Sequence, residues 1–373
     1  MTRVLPGMPS RRTAGPGPSP GPGLSSGPGP DTDRLLDRFG RVATDLRVSL
    51  TDRCGLRCTY CMPAEGLDPL PGDRILDDEE VIRLITIAVR DLGIEEVRFT
   101  GGEPLLRRGL ERIVAATTAL RTASGRAPDL SLTTNALGLD RRAAGLAAAG
   151  LRRINVSLDS LDRARFARIT LRDRWDDVIT GLEAAAEAGL APVKVNSVLL
   201  RGVNDDEAVP LVRWALAKGY RPRFIEQMPL DPQGSWDRES MVTAAEILTS
   251  LRTGLTLTPT HPATRGAAPA ETWLVTGGAT TPDGVPGTVG IIGSVTRPFC
   301  GGCDRTRLTA DGQVRDCLFT CRETDLRSLL RGGASDGEIA GAWRAAMWRK
   351  EAGHGIDDPS FLRPDRPMSA IGG

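Results

Sequence analysis

From residue 45 onward, short runs rich in β-branched and aliphatic residues alternate with longer amphipathic stretches. The runs are "DLRVSL", "EVRFT", "DLSLTTN", "RRINVSLD", "VKVNSVLL" and "RPRFIEQM", and between them lie stretches such as "DDEEVIRLITIAVRDLG" and "WDDVITGLEAAAEAGL". In the first of these, Val81, Leu84, Ile85, Ala88 and Leu92 recur at helical spacing behind an acidic first turn, which predicts an amphipathic helix. Strands alternating with helices predict βα units on a parallel sheet. Six units up to about residue 230 predict an α/β fold built on a partial (βα)6 barrel of TIM type, with a doubly wound sheet as the alternative.

Each expected strand ends on a polar residue: Ser49, Thr100, Asn135, Ser157, Asn196 and Glu226. In parallel α/β folds the carboxyl ends of the strands form the active face, so six such residues together read as the lining of a site. After residue 260 the pattern loosens into loop-like "HPATRGAAPAETW" and "GGATTPDGVPGTVG", which predicts a smaller appended domain. The expected organisation is a leader over 1–31, a barrel over 40–260, the appended domain over 261–345 and a tail over 346–373. Nineteen of the first thirty residues are Gly, Pro or Ser, too few apolar groups to offset ordering entropy, so the leader is expected to be disordered.

Composition narrows the function classes. With 48 Lys and Arg against 47 Asp and Glu, the net charge of +1 supplies no whole-surface field for nucleic acid or an anionic membrane, so any anionic partner needs a local basic cluster. No run of 18 apolar residues is present, and Arg11 and Arg12 are followed by a Pro/Gly string instead of the apolar core of a signal peptide. The seven cysteines are therefore expected as reduced thiols in the cytoplasm. A kinase or GTPase of the P-loop kind is excluded, because no Gly-x4-Gly-Lys-Ser/Thr loop occurs.

The cysteines fall into two groups. "DRCGLRCTYCMP" holds Cys54, Cys58 and Cys61, and no further cysteine follows until Cys300. A closed zinc site would need two more ligands a short way on, yet residues 62–80 offer neither Cys nor His. Three thiolates on a cubane cluster leave one iron free for a substrate or cofactor. The second group, "RPFCGGCDRTRLTADGQVRDCLFTC", carries Cys300, Cys303, Cys317 and Cys321. Its spacing fits a four-thiolate zinc ribbon as well as a cluster, while Arg305 and Arg307 beside it suit a phosphate or a purine edge.

Cys-x3-Cys-x2-Cys with Tyr60 before its last cysteine resembles the signature of radical S-adenosylmethionine (SAM) enzymes, and "RFTGGEP" resembles the motif that receives the SAM amino group in that superfamily. "LRVSLTDRC", "LTTN", "INVSLDSL", "VKVNSVLLRGVND", "RFIEQMP", "CDRTRLTADG" and the ending "RPMSAIGG" extend the resemblance, from about residue 40 onward, to the GTP 3′,8-cyclase family of molybdenum-cofactor biosynthesis. The resemblance implies two [4Fe–4S] clusters, one on Cys54, Cys58 and Cys61 binding SAM, the other on Cys300, Cys303 and Cys317 facing the guanine of GTP. It implies a 5′-deoxyadenosyl radical that takes the ribose H3′, closure onto C8, and release of 3′,8-cyclo-7,8-dihydroguanosine 5′-triphosphate to a cyclic pyranopterin monophosphate synthase. A small flavodoxin- or ferredoxin-type electron donor and a monomeric or homodimeric enzyme belong to the same expectation.

Carried over residue by residue, Tyr60, Gly102, Ser157 and Met228 match SAM-contacting positions, with Glu103 and Asn135 beside them. Arg47, Arg98, Thr133, Lys194, Arg305 and Arg307 match GTP-contacting ones. Gly372 and Gly373 match a tail that reaches the active-site pocket and is needed for turnover. The sequence departs from the family pattern at Glu96, where lysine is common near the phosphates, and at Gly55 and Ala136. Cys321 is surplus to a three-cysteine site, and as a fourth ligand it would close the second cluster. A peptide-modifying radical SAM enzyme and a zinc-binding interaction protein are the competing readings.

Overall fold

The computed structural model describes residues 32–231, 234–261, 265–359, 361–364 and 366–372. The leader expected over 1–31 and the terminal Gly373 lie outside the described residues. A two-stranded hairpin, β1 (Leu35–Leu36) and β2 (Val42–Ala43), opens the described chain. The six predicted runs then form β3 (Asp45–Ser49), β4 (Glu96–Thr100), β5 (Asp129–Thr134), β6 (Arg153–Ser157), β7 (Val193–Val198) and β8 (Arg221–Ile225). These pair in parallel in chain order.

Local chemistry sets the helices between them. The helix Asp78–Asp91 starts on a capping box: Asp77 accepts from the Glu80 N–H at 2.8 Å, and Glu80 accepts from the Asp77 N–H at 2.8 Å. Val81, Leu84, Ile85, Ala88 and Leu92 are all buried, as their spacing predicts. They meet the outward faces of the strands, where Leu46, Val48, Val97, Phe99, Leu130, Leu132, Ile154 and Val156 form one core. The helix Trp175–Glu187 docks the same way through Val178, Leu182 and Ala185. Period-two alternation leaves the inward faces polar.

The chain after β8 does more than append. β9 (Thr256–Pro259), β10 (Glu271–Gly277) and β11 (Thr288–Ile292) extend one edge of the sheet, and β12 (Arg305–Leu308), β13 (Gln313–Arg315) and β14 (Thr324–Asp325) extend the other. The order across the twelve strands is β14-β13-β12-β3-β4-β5-β6-β7-β8-β11-β10-β9. Because β11 runs parallel to β8 and β12 runs parallel to β3, the parallel run is two strands longer than the six predicted. The end strands β14 and β9 do not pair with each other, so the barrel stays open. Behind β12 the helix Asp336–Trp348 buries Trp343 completely, with its indole N–H donating to Thr306 Oγ1 at 2.9 Å.

Glu226, just past β8, holds the late strands in place. Its fully buried carboxylate accepts from the backbone N–H groups of Ala244 (2.6 Å), Val295 (2.8 Å) and Thr296 (2.9 Å), and from the Thr296 hydroxyl. Glu226→Ala strands three buried N–H donors, each costing about 1–3 kcal/mol when unpaired. The expected result is a loss of at least about 3 kcal/mol in urea unfolding of the full chain; an unchanged midpoint would show that water takes over those bonds.

Candidate active site

At the carboxyl ends of the parallel strands lies a cavity of about 310 Å³. Its wall includes six of the seven cysteines: Cys54, Cys58 and Cys61 from the loop after β3, and Cys300, Cys303 and Cys317 from the turns before β12 and after β13. Of the polar strand ends, Thr100, Asn135, Ser157, Asn196 and Glu226 face it, although the Glu226 carboxylate is consumed by the backbone bonds above. Ser49 lies beneath the C-terminal tail, against Gly372.

The first cysteine loop is seated on the turn after β4. Gly101 has φ +136°, and a Cβ there would stand 2.5 Å from the Thr51 carbonyl oxygen. A Cβ on Gly102 would overlap the Arg53 carbonyl, with its carbon at 2.6 Å, so only glycine lets the two backbones meet. The Gly102 and Glu103 N–H groups donate to the Thr51 and Arg53 carbonyls at 2.7 Å each. Glu103 itself does not face the cavity. Its carboxylate accepts from the Asn135 and Leu105 N–H groups (2.7 and 3.0 Å) and the Thr134 hydroxyl (2.6 Å), which fixes the end of β5 and aims Asn135 Nδ2 at Cys54 Sγ, 3.5 Å away. Burial pushes the Glu103 carboxyl up to about 7. Ala136 adopts φ 64°, a left-handed conformation that glycine takes without strain.

Tyr60, Gly102, Ser157, Asn135 and Met228 all line the cavity, so the expected SAM-contacting set is gathered apart from Glu103. Asp159, which sequence reasoning missed, accepts from the Tyr60 hydroxyl at 2.7 Å and from the Val198 N–H at 2.8 Å. The thiols fit a cluster by their chemistry. Burial pushes Cys61 up to about 12, with Cys54 adding to it, and raises Cys58 well above the ordinary thiol value. Such thiols become thiolates only beside a cation such as iron. Among the described residues no three Cys, His, Asp or Glu side chains gather tightly enough for a single metal ion, whereas thiols set around a shared void suit a polynuclear one. Cys321 stands apart: it is exposed, its Sγ facing the Leu362 and Arg363 carbonyls at 3.8 and 3.7 Å.

The expected substrate residues form a row set by strand register. Arg307 on β12 sits opposite Arg47 on β3, and Arg47 opposite Arg98 on β4. Like charges directly opposite on neighbouring strands repel, and the nearby carboxylate, Asp45, reaches only to 3.6 Å from Arg47 and 3.6 Å from Arg305. Burial and then Arg98 bring Arg47 down to about 9, with Asp45 opposing them; burial and Arg47 bring Arg307 to about 9. Arg47, Arg98, Thr133, Arg305 and Arg307 line the cavity. Lys194 lies one step deeper on the inward face of β7, two residues before Asn196. Arg223 on β8 was missed, although its alternation with Arg221 and Ile225 marks its face. It lines the cavity with no ion pair among the described residues, and burial followed by Arg153 holds it at about 10. Glu96 at the bottom of β4 is met by Arg153 at 3.3 Å, which offsets its charge where a lysine was expected.

The tail closes the site. Met368 and Ser369 line the cavity, and the Gly372 carbonyl accepts from the Arg307 guanidinium.

An open parallel sheet carrying a three-cysteine loop after its first long strand is the architecture of radical SAM enzymes, and the radical SAM superfamily model matches residues 48–215. A second model, molybdenum cofactor synthesis C, matches residues 220–356. A Streptomyces coelicolor protein named GTP 3′,8-cyclase is 63% identical over 91% of this chain and 96% of its own length. One of the same name from Mycolicibacterium smegmatis is 61% identical over 92% and 93%. The chain belongs to the GTP 3′,8-cyclase family, radical SAM enzymes that carry two [4Fe–4S] clusters. Streptococcus suis SuiB bound to S-adenosylmethionine shares the fold, with a TM-score of 0.51 and 14% identity over 80% of this chain and 68% of that one.

Two substitutions test the assembly. Gly102→Ala should unseat the first cysteine loop and lower bound iron by about half in reconstituted protein, leaving the second site loaded. Cys321→Ser should leave the iron content unchanged; a loss comparable to that of Cys317→Ser would make Cys321 a ligand.

Proposed function

We propose that the chain converts GTP and SAM-derived radical equivalents into 3′,8-cyclo-7,8-dihydroguanosine 5′-triphosphate, the opening step of molybdenum-cofactor biosynthesis. The observation that carries this reading is the Arg307–Arg47–Arg98 row facing the same cavity as both cysteine triads. A nucleoside triphosphate supplies the acceptors such a row lacks, phosphate oxygens for Arg47 and Arg98 and a purine edge for Arg307. A peptide offers such a row only scattered carboxylates, in place of the adjacent charges of a triphosphate.

Cys54, Cys58 and Cys61 hold the SAM cluster in this reading, and Cys300, Cys303 and Cys317 hold the second. When bound, the first cluster and SAM would supply the one-electron chemistry that removes the ribose H3′ and lets C3′ close onto C8, with one further electron and a proton needed to complete the product. Tyr60, Gly102, Ser157, Met228 and Asn135 orient SAM, with Glu103 bracing Asn135. Arg47, Arg98, Lys194 and Arg223 hold the phosphates deep between the strands, Thr133 sits beside them, and Arg305 and Arg307 address the base end. Gly372 shapes the pocket from the tail, and Gly373 after it is required for turnover. The electron enters from a small flavodoxin- or ferredoxin-type donor, and the product passes to a cyclic pyranopterin monophosphate synthase. A cytoplasmic setting keeps the thiols reduced for cluster assembly.

The direct test is anaerobic incubation of reconstituted protein with SAM, GTP and reductant. Formation of 5′-deoxyadenosine carrying deuterium from 3′-deuterated GTP, together with the cyclic product, is expected; deoxyadenosine without label transfer would remove GTP as substrate. Lys194 adds a pH signature. Burial, then Arg223, Arg153 and Arg98, hold it at about 7, so it is charged below neutrality and loses its proton as pH rises. GTP is fully ionised above neutrality, so its KM should climb from pH 7 to pH 9. Lys194→Met should raise KM roughly tenfold at pH 6.5 and flatten that climb.

The tail is tested separately. A Cβ on Gly372 would stand 2.7 Å from Thr100 Cγ2 and closer to Ser49 Oγ. Gly372→Ala, or one residue added after Gly373, should cut turnover with iron content intact, and unchanged turnover would end the tail's role.

A further inference from the structure

Lys350 follows the helix Asp336–Trp348 and is 3% exposed. Its ammonium donates to the Arg305 carbonyl at 2.8 Å, to the Cys303 carbonyl at 3.4 Å and to Cys303 Sγ at 3.4 Å. Among the described residues no carboxylate lies within 4 Å of it. Asp316, a carboxylate whose charge interacts with it at longer range, is paired to Arg322 at 3.6 Å. A buried ammonium without a counter-charge is costly, so a charge is missing from its surroundings. The one group it touches that can supply that charge is the Cys303 sulfur as a thiolate.

The neighbouring cations do not share this position. Arg305 Nη1 also reaches Cys303 Sγ, at 3.8 Å, but its charge is met by Asp45 at 3.6 Å and Asp304 at 3.7 Å. Around the first triad, the side-chain donor to a sulfur is the neutral amide of Asn135, 3.5 Å from Cys54 Sγ, and the buried carboxyls of Asp159 and Glu103 act against its thiolates. The cation there, Arg57, donates to the Cys54 and Leu56 carbonyls at 2.7 and 2.9 Å and not to a sulfur. Among the described residues, a lysine meets a triad sulfur at the second triad alone.

We propose that Lys350 is the counter-charge of the second cluster, holding it through Cys303 and raising its reduction potential. The proposal rests on the assignment of Cys300, Cys303 and Cys317 as that cluster's ligands. Reduction adds one negative charge to a cluster, and a fixed ammonium hydrogen-bonded to a ligating sulfur stabilises the reduced form more than the oxidised one. Lys350 is therefore a positioning and tuning residue; it touches a ligand sulfur and not the substrate.

The test uses full-length protein carrying Cys54→Ala, Cys58→Ala and Cys61→Ala, which leaves the second site alone to hold iron. Iron content and an electron paramagnetic resonance-monitored reductive titration are compared for Lys350 as found, Lys350→Met and Lys350→Arg. The expected result is a midpoint that shifts to lower potential in Lys350→Met and returns toward the parent value in Lys350→Arg. Loss of the cluster from Lys350→Met with retention in Lys350→Arg supports the same conclusion, since charge then decides occupancy. An unchanged midpoint in a fully loaded Lys350→Met overturns the proposal, as does equal loss of the cluster from both variants, which would make packing the cause. Absence of iron from the parent protein would instead remove the ligand assignment itself.

Discussion

Positive charge facing inward, with too few carboxylates to match it, is the constraint around which the site is arranged. The parallel sheet turns its apolar face to the helices and its polar face to the cavity, and the polar face of β12, β3 and β4 carries Arg307, Arg47 and Arg98 side by side. The chain as a whole is almost neutral, with a net charge of +1, so this concentration is local and is balanced elsewhere on the surface. Asp45 is shared between Arg47 and Arg305 and satisfies neither at close range. The same shortage recurs at Lys350 beside the second triad. A fold that buries cations in this way is set up for anionic guests, which here are the triphosphate of a nucleotide and thiolate-ligated iron.

Much of this was legible in the chain. The alternation of strands with amphipathic helices defined six of the central strands, and the acidic first turn of Asp78–Asp91 marked the cap that starts it. Cysteine spacing separated an open triad from an ambiguous quartet. The structure sets Cys321 apart from the other three, exposed and turned toward the Leu362 and Arg363 carbonyls, a separation that spacing alone could not show. Other features depended on tertiary contact. β11 and β12 are short and flanked by glycines and cysteines, so neither announces itself as a sheet strand, and nothing local says that "RTRL" pairs with "DLRV" some 260 residues earlier. Asp159 and Lys350 act through partners distant in sequence, Tyr60 and Cys303, and carry no motif of their own. Arg223 was different: strand alternation alone put it on the inward face. Glu226 had the opposite fate, since its position at a strand end suggested a ligand contact while its carboxylate is spent on backbone donors.

The two cysteine groups show how one cavity is assembled from both ends of the chain. The first loop is held by backbone contact with Gly101 and Gly102, which no larger residue permits. The second is held by the strands around it, by Trp343 behind β12 and by the C-terminal segment, whose Gly372 carbonyl meets Arg307. The tail thus meets a guanidinium that also lines the cavity, so the cavity is shaped by residues from three separated parts of the sequence.

The two-sided extension of the sheet also bears on how the chain matures. With β11 on one flank and β12 on the other, residues 48–215 cannot form a finished unit while the ribosome is still making the remainder. Both β3 and β8 emerge as bare edges, each waiting for a partner encoded 60 or more residues past β8. Until that partner arrives, the nascent chain exposes two unpaired parallel strands of the kind that invite association with other chains. The second triad shares this timing, since its last cysteine, Cys317, lies beyond both of the strands that cover those edges.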